Sequence, residues 1–154
     1  MSNHDRALLL SVRPRFAEAI LAGTKTAEIR RQRPAVHPGP LLIIYATKPV
    51  GAIVGTARVS AISHGSPDGM WEQHHAYTGV TRAEFDSYLA GASTAYILRL
   101  EMPQRLVPFL TLEQMRTAAT FQPPQSYRYI SRNMLRSLIN GHPESNSLLA
   151  MLHI

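Results

Sequence analysis

The chain has 154 residues, 45% of them apolar and 17% charged, enough for one globular domain that buries its own core. It has no cysteine, which excludes disulfide scaffolds, thiolate catalysis and thiolate-bound zinc or iron–sulfur centres. Sixteen basic residues against ten acidic ones leave a formal charge of +6, which points to a polyanionic partner, nucleic acid above all.

Residues 7–12 (ALLLSV) are short and apolar and read as a strand. Pro14 suits the first turn of a helix, Phe16, Ala17, Ile20 and Leu21 give that helix one apolar face, and Gly23 ends it. Residues 25–31 (KTAEIRR) alternate, with Thr26, Glu28 and Arg30 on one side of a strand. Three prolines and a glycine make 33–40 a loop. Residues 41–46 (LLIIYA) are apolar throughout, as in a strand buried on both faces, and 48–51 turn the chain. Residues 52–62 form a long strand in which Gly55 marks a bulge or a close approach.

Two short helices are expected around 70–77 and 82–89, the second opened by a Thr81–Glu84 capping box. Residues 94–101 form another strand. Residues 105–110 form a separate edge strand, because Pro108 cannot donate to a ladder. Thr111 caps a helix through Ala119. A proline loop from 121 closes in a strand or helical turn near 128–130, and the tail from Gly141 reads as loose, with Leu148, Leu149 and Leu152 able to dock. No apolar run is long enough to cross a bilayer, and the polar start is no signal peptide, so a soluble, cytoplasmic protein is expected.

Consecutive strands without full crossover helices favour an α+β fold, a small mixed β-barrel of five or six strands with short helices around it, over a Rossmann sheet. A single domain over 1–154 is expected, with its core at about 7–130 and a C-terminal helix and tail at 131–154.

His74 and His75 are sequence neighbours whose side chains point apart, and no H-x-x-x-H spacing occurs, so neither a metal nor a cofactor is expected. Phosphate-binding glycine loops are absent. Fourteen of the sixteen basic residues are arginine, which forks onto phosphate but stays protonated; only Lys25 and Lys48 could lose a proton on burial. Glu28, between Thr26 and Arg30, could anchor Arg30 or accept from a base edge. Tyr45 and Lys48 stand where a buried strand runs into a turn, suited to stacking on a base and meeting a phosphate. The prolines at 123 and 124 hold Gln125 and Ser126 in one geometry, and Tyr127, Arg128 and Tyr129 offer aromatic and cationic groups to single-stranded RNA.

Together the stretches LLSVRPRFAEAILAG, KTAEIR, YATKP, IVG and PPQSYRY resemble, in order and spacing, the ASCH domain family of PUA-like β-barrels. The resemblance implies a small barrel around a cleft, with nucleic acid or modified nucleosides as ligands. It brings three activities: RNA binding or regulation, ribonuclease action, and amidohydrolysis of acetylcytidine. For the last, Lys25 matches the family's lysine, but Glu28 stands at the nucleophilic threonine's place and Thr78 lies where a downstream carboxylate is expected. For the ribonuclease-like branch, Tyr45 and Ser126 fall at the site tyrosine and serine, while Gly51 occupies the usual basic position and Lys48 precedes the turn proline.

The expectation is an RNA- or nucleotide-binding domain, monomeric or weakly dimeric. Lys25, Lys48, Tyr45 and Ser126 are its candidate catalytic residues, and Arg13, Glu28, Arg30, Tyr127 and Arg128 contact nucleic acid. If catalytic, it is a metal-independent ribonuclease on single strands. The alternatives are a regulatory RNA-binding module and an amidohydrolase acting on a modified nucleoside.

Overall fold

The computed structural model describes residues 6–35 and 40–152, so residues 36–39 of the expected proline loop lie outside it. In chain order the elements are β1 (Arg6–Val12), α1 (Pro14–Ala22), β2 (Ala27–Arg30), β3 (Leu41–Ala46), β4 (Ala52–Gly65), α2 (Pro67–Thr78) and α3 (Arg82–Tyr88). Then come β5 (Ala95–Thr111), α4 (Leu112–Ala118), β6 (Tyr127–Ser131), α5 (Arg132–Leu138) and α6 (Ser145–Met151). The six strands form one mixed sheet in the order β2-β5-β4-β3-β1-β6. Only β1 and β3 run parallel.

Strand alternation sorts the apolar side chains to two faces. Leu9, Ile43 and Tyr45 pack on one side with Met115 of α4, Leu135 and Leu138 of α5 and Leu148 of α6. Leu8, Leu10, Leu42 and Ile44 pack on the other with Ala17, Ile20 and Leu21 of α1. This is why β3 is apolar along its whole length: it has a core on each face. A third cluster joins Ala27 and Ile29 of β2 to Met70 of α2 and Phe85 of α3.

The fold is α+β, as expected, but the barrel is a loose one. The described residues show no ladder between β2 and β6, so these are the two edges of an open sheet. The expected strands at 94–101 and 105–110 are one long strand. β5 pairs with β4 on both sides of a break: Arg105 lies opposite Gly55 and Leu110 opposite Ile53, so the residues between them, Pro108 included, have no partner in the ladder. A proline there forfeits no ladder bond. β2 pairs only with Tyr96–Arg99, so the second half of β5 has β4 as its sole strand partner, which is the edge character that Pro108 announced. Gly55 is the expected close approach: a Cβ there would lie 2.4 Å from the Gln104 carbonyl oxygen and 2.5 Å from Leu21 Cδ2.

The expected capping box of α3 forms, with Thr81 accepting from the Glu84 N–H and Glu84 from the Thr81 N–H. The tail from Gly141 is not loose. It folds into α6, and Leu148 and Leu152 are buried in the first core. No helix of the described residues is long and apolar enough to cross a membrane.

Candidate nucleic-acid interface

β2 begins at Ala27 rather than Lys25, because the end of α1 claims the residues before it. Gly23 takes the left-handed conformation, with φ of 81°, and the Thr24 and Lys25 N–H groups donate to the Ala19 carbonyl. Lys25 is thereby turned off the strand and into the protein, where it is 1% exposed. Its Nζ donates to the Ala27 carbonyl at 3.0 Å and to the Thr78 carbonyl at the end of α2. It lies 5.1 Å from the centre of the Phe16 ring and against Gly79, whose φ is +68°. Burial lowers its pKa, and the neighbouring Glu28 carboxylate partly restores it. A cation at a helix C-terminus also meets the negative end of the helix dipole.

Glu28 and Arg30 occupy the face of β2 opposite Ala27 and Ile29; Glu28 pairs across the sheet with Leu98 of the second core. Both are buried, at 8% and 7% exposure, and they face each other at 3.8 Å. Glu28 Oε1 accepts from the Ile29 N–H at 3.2 Å. Glu28 Oε2 and Arg30 Nε are buried without a hydrogen-bond partner among the described residues. One buried acceptor and one buried donor are thus left open side by side, which calls for a water or a ligand.

Arg30 Nη1 donates to Ser126 Oγ at 2.8 Å, so the guanidinium spans the seam between the two sheet edges. Ser126 remains exposed, and its carbonyl accepts from the Ser11 N–H at 2.9 Å. At this same end the Thr47 N–H donates to the Val12 carbonyl at 2.9 Å, which brings the residues after β1 and β3 together. Arg13 and Lys48 therefore stand at one end of the sheet, both exposed. The two lysines play unlike parts: Lys25 is sealed and Lys48 is open to solvent.

Glu28, Arg30 and Ser126 form one connected track, with Lys25 buried on the segment leading into it and Arg13 and Lys48 exposed where β1 and β3 end. Tyr45 does not join that face. It is 3% exposed and packs with Phe121 and Met115 on the opposite side of the sheet. Burial raises its pKa, and the Arg116 guanidinium nearby partly offsets this. Ser11 sits beside Tyr45 in the β1–β3 register, with a buried hydroxyl that has no partner among the described residues. Arg128 and the two tyrosines beside it also part company. Alternation along β6 turns Tyr127 and Tyr129 toward the second core, with their rings edge-on at 6.1 Å, and leaves Arg128 half-buried on the other face.

Ser11 and Arg116 lie on the Tyr45 side of the sheet and Phe16 lies against Lys25; none of the three stands out in the sequence as a site residue. Arg116 has no local motif; only the packing of α4 brings it to Tyr45. His74 is buried on α2, while His75 is exposed and stacks on Trp71 at 5.3 Å. Among the described residues no three histidine, aspartate or glutamate side chains cluster as metal ligands would.

The family model of the ASCH domain matches residues 10–104. The chain belongs to the ASCH domain family. An ASCH domain-containing ribonuclease from Zymomonas mobilis is 32% identical over 134 residues, covering 86% of this chain and 89% of that protein. The crystal structure of the Zymomonas mobilis ASCH protein superposes with a TM-score of 0.82 at 29% identity, over 88% of this chain and 94% of that one. Two variants of the same protein, one tyrosine to phenylalanine and one serine to alanine, also superpose at 0.82. The N-terminal domain of Staphylothermus marinus McrB shares the fold at 9% identity and a TM-score of 0.57.

Proposed function

We propose that this ASCH domain binds single-stranded RNA across the open seam of its sheet and cleaves it by attack of a ribose 2′-hydroxyl on the adjacent phosphorus. The observation that carries the reading is the Arg30–Ser126 hydrogen bond, which holds an exposed hydroxyl at the seam beside two unpartnered buried polar atoms. The net charge of +6 and the likeness to a protein named a ribonuclease support the same reading.

In this reading Arg13, Lys48 and Arg30 meet phosphate, which positions the strand without reading its sequence. Glu28 Oε2 accepts from an exocyclic amine of a base, and Arg30 Nε donates to the ring atom beside it. Ser126 donates to a phosphoryl oxygen while accepting from Arg30. A water at the open seam takes the 2′-hydroxyl proton, while exposed Lys48 stays on the phosphates as a cation. The bond from the 2′-oxygen to phosphorus forms as the bond to the 5′-oxygen breaks, water returns the proton to the departing 5′-oxygen, and the arginines offset the charge on the phosphoryl oxygens. Lys25 is a positioning residue: it ties α2 to β2 and stands behind Glu28.

The test is a mixed-sequence single-stranded RNA and its DNA counterpart, each incubated with the protein in EDTA and resolved on a gel. RNA cut and DNA intact, with cutting lost in Ser126→Ala and Lys48→Ala, is the expected result. RNA that shifts but stays whole would leave a binding module. RNA neither shifted nor cut would overturn the proposal.

A further inference from the structure

The first core carries a feature that the seam does not use. The residues from Arg116 to Gln122 line a shallow surface hollow of about 450 Å³. Its lining holds one charged side chain, Arg116, and no acidic one. The guanidinium is held in place by its own loop: Nε donates to the Phe121 carbonyl at 3.2 Å and Nη2 to Gln122 Oε1 at 3.0 Å. Those bonds use two of its five N–H groups.

The packing of α4 sets this hollow on the Tyr45 side of the sheet. The Leu112 N–H donates to the Gly51 carbonyl at 2.9 Å, and the Tyr45 hydroxyl lies 3.8 Å from where a Gly51 Cβ would stand. Arg116 is four residues beyond Leu112 and so lies on the same side of the helix, one turn along. Met115 and Phe121, which flank Arg116 and close its loop, pack against Tyr45 in the first core. A fixed arginine with free donors and no acidic side chain in the lining suits a phosphate monoanion.

We propose that this hollow is a second phosphate subsite, in which Arg116 holds a backbone phosphate of the bound RNA on the sheet face opposite Glu28 and Arg30. The inference rests on the reading of this domain as an RNA-binding protein. It adds an anchoring point that the seam does not contain.

The test measures binding of the mixed-sequence single-stranded RNA to the whole chain over a range of salt concentrations. Each phosphate contact on a single strand contributes about 0.7 to the slope of log affinity against log salt. Arg116→Gln is expected to weaken binding most at low salt and to lower the slope by about 0.7, whereas Arg116→Lys retains it. A purely structural role would change the melting temperature and leave the slope alone. Thr117→Glu places a carboxylate at an exposed position of the hollow without touching the Arg116 tether, and is expected to weaken binding in the same salt-dependent way. Wild-type slope and affinity in Thr117→Glu and in a folded Arg116→Gln would overturn the inference while leaving the seam reading in place. Absence of RNA binding by the wild type would overturn both.

Discussion

Replacing Lys25 with methionine tests how the buried lysine holds the site together. Methionine has nearly the length of lysine, so the packing against Phe16 and Gly79 survives. What is lost is the pair of hydrogen bonds from Nζ to the Ala27 and Thr78 carbonyls. Both acceptors are then left in a site where lysine itself is 1% exposed. Each orphaned buried carbonyl costs about 1–3 kcal/mol. The variant no longer buries a charge, which returns part of that cost. The net expectation is a loss of about 3 kcal/mol, or roughly 6–12 °C in melting temperature for a domain of this size.

The pH dependence carries a sign as well. Burial lowers the Lys25 pKa from its ordinary 10.5, so the unfolded chain holds that proton more tightly than the folded one. Stability of the wild type relative to Lys25→Met must therefore rise as pH climbs from the lowered pKa toward 10.5, and level off above it. Urea denaturation at neutral pH, repeated at intervals up to pH 10, measures both quantities. A methionine variant as stable as the wild type at neutral pH would refute the two-carbonyl anchor. A stability gap that narrows with rising pH would refute the burial argument.

Gly55→Ala is expected to destabilise by about 2–3 kcal/mol, because its Cβ meets backbone at 2.4 Å and the end of Leu21 at 2.5 Å, which an equilibrium unfolding curve would show. Arg30→Met leaves the Glu28 carboxylate buried without its partner and should cost about 3 kcal/mol. Adding Glu28→Gln to it should recover much of that, and a double-mutant cycle in urea reads the coupling. Leu148→Ala should cost about 2–4 kcal/mol if α6 is an integral part of the first core, and a loss below 1 kcal/mol would mean that the helix docks only loosely.

Much of the fold is legible in local chemistry. The Pro14 start and Gly23 stop of α1, the capping box at Thr81 and the two-faced apolar run of β3 each follow from the backbone or burial demands of one short segment. So does Gly55, since the need for a missing Cβ shows in the residue type itself. The single long β5 was harder to read, because a proline within a strand signals an interruption and leaves open whether the chain resumes the same ladder beyond it. The tail is legible in part: Leu148 and Leu152 advertise an apolar face able to dock, as they do, but that the segment is ordered follows only from the exposed side of the first core that they cover.

For the site, the residues of the KTAEIR stretch were legible by type, and their arrangement was not. Alternation alone puts Glu28 and Arg30 on one face, as the structure has them, and the ASCH resemblance singles out Ser126, Tyr45 and the lysines by type. That Arg30 reaches Ser126, 96 positions away, is decided by how the sheet curls until its edges face each other. That Lys25 is sealed while Lys48 is open follows from the C-cap of α1 and the approach of α2, neither of which residue type can announce. Tyr45 and Arg116 share a face because α4 packs against the Gly51 turn. Sequence by itself determined which side chains could do the chemistry, since charge, hydrogen-bonding capacity and strand parity are properties of short segments. Tertiary structure alone decided which of them meet, because distances between remote residues are set by packing the whole chain.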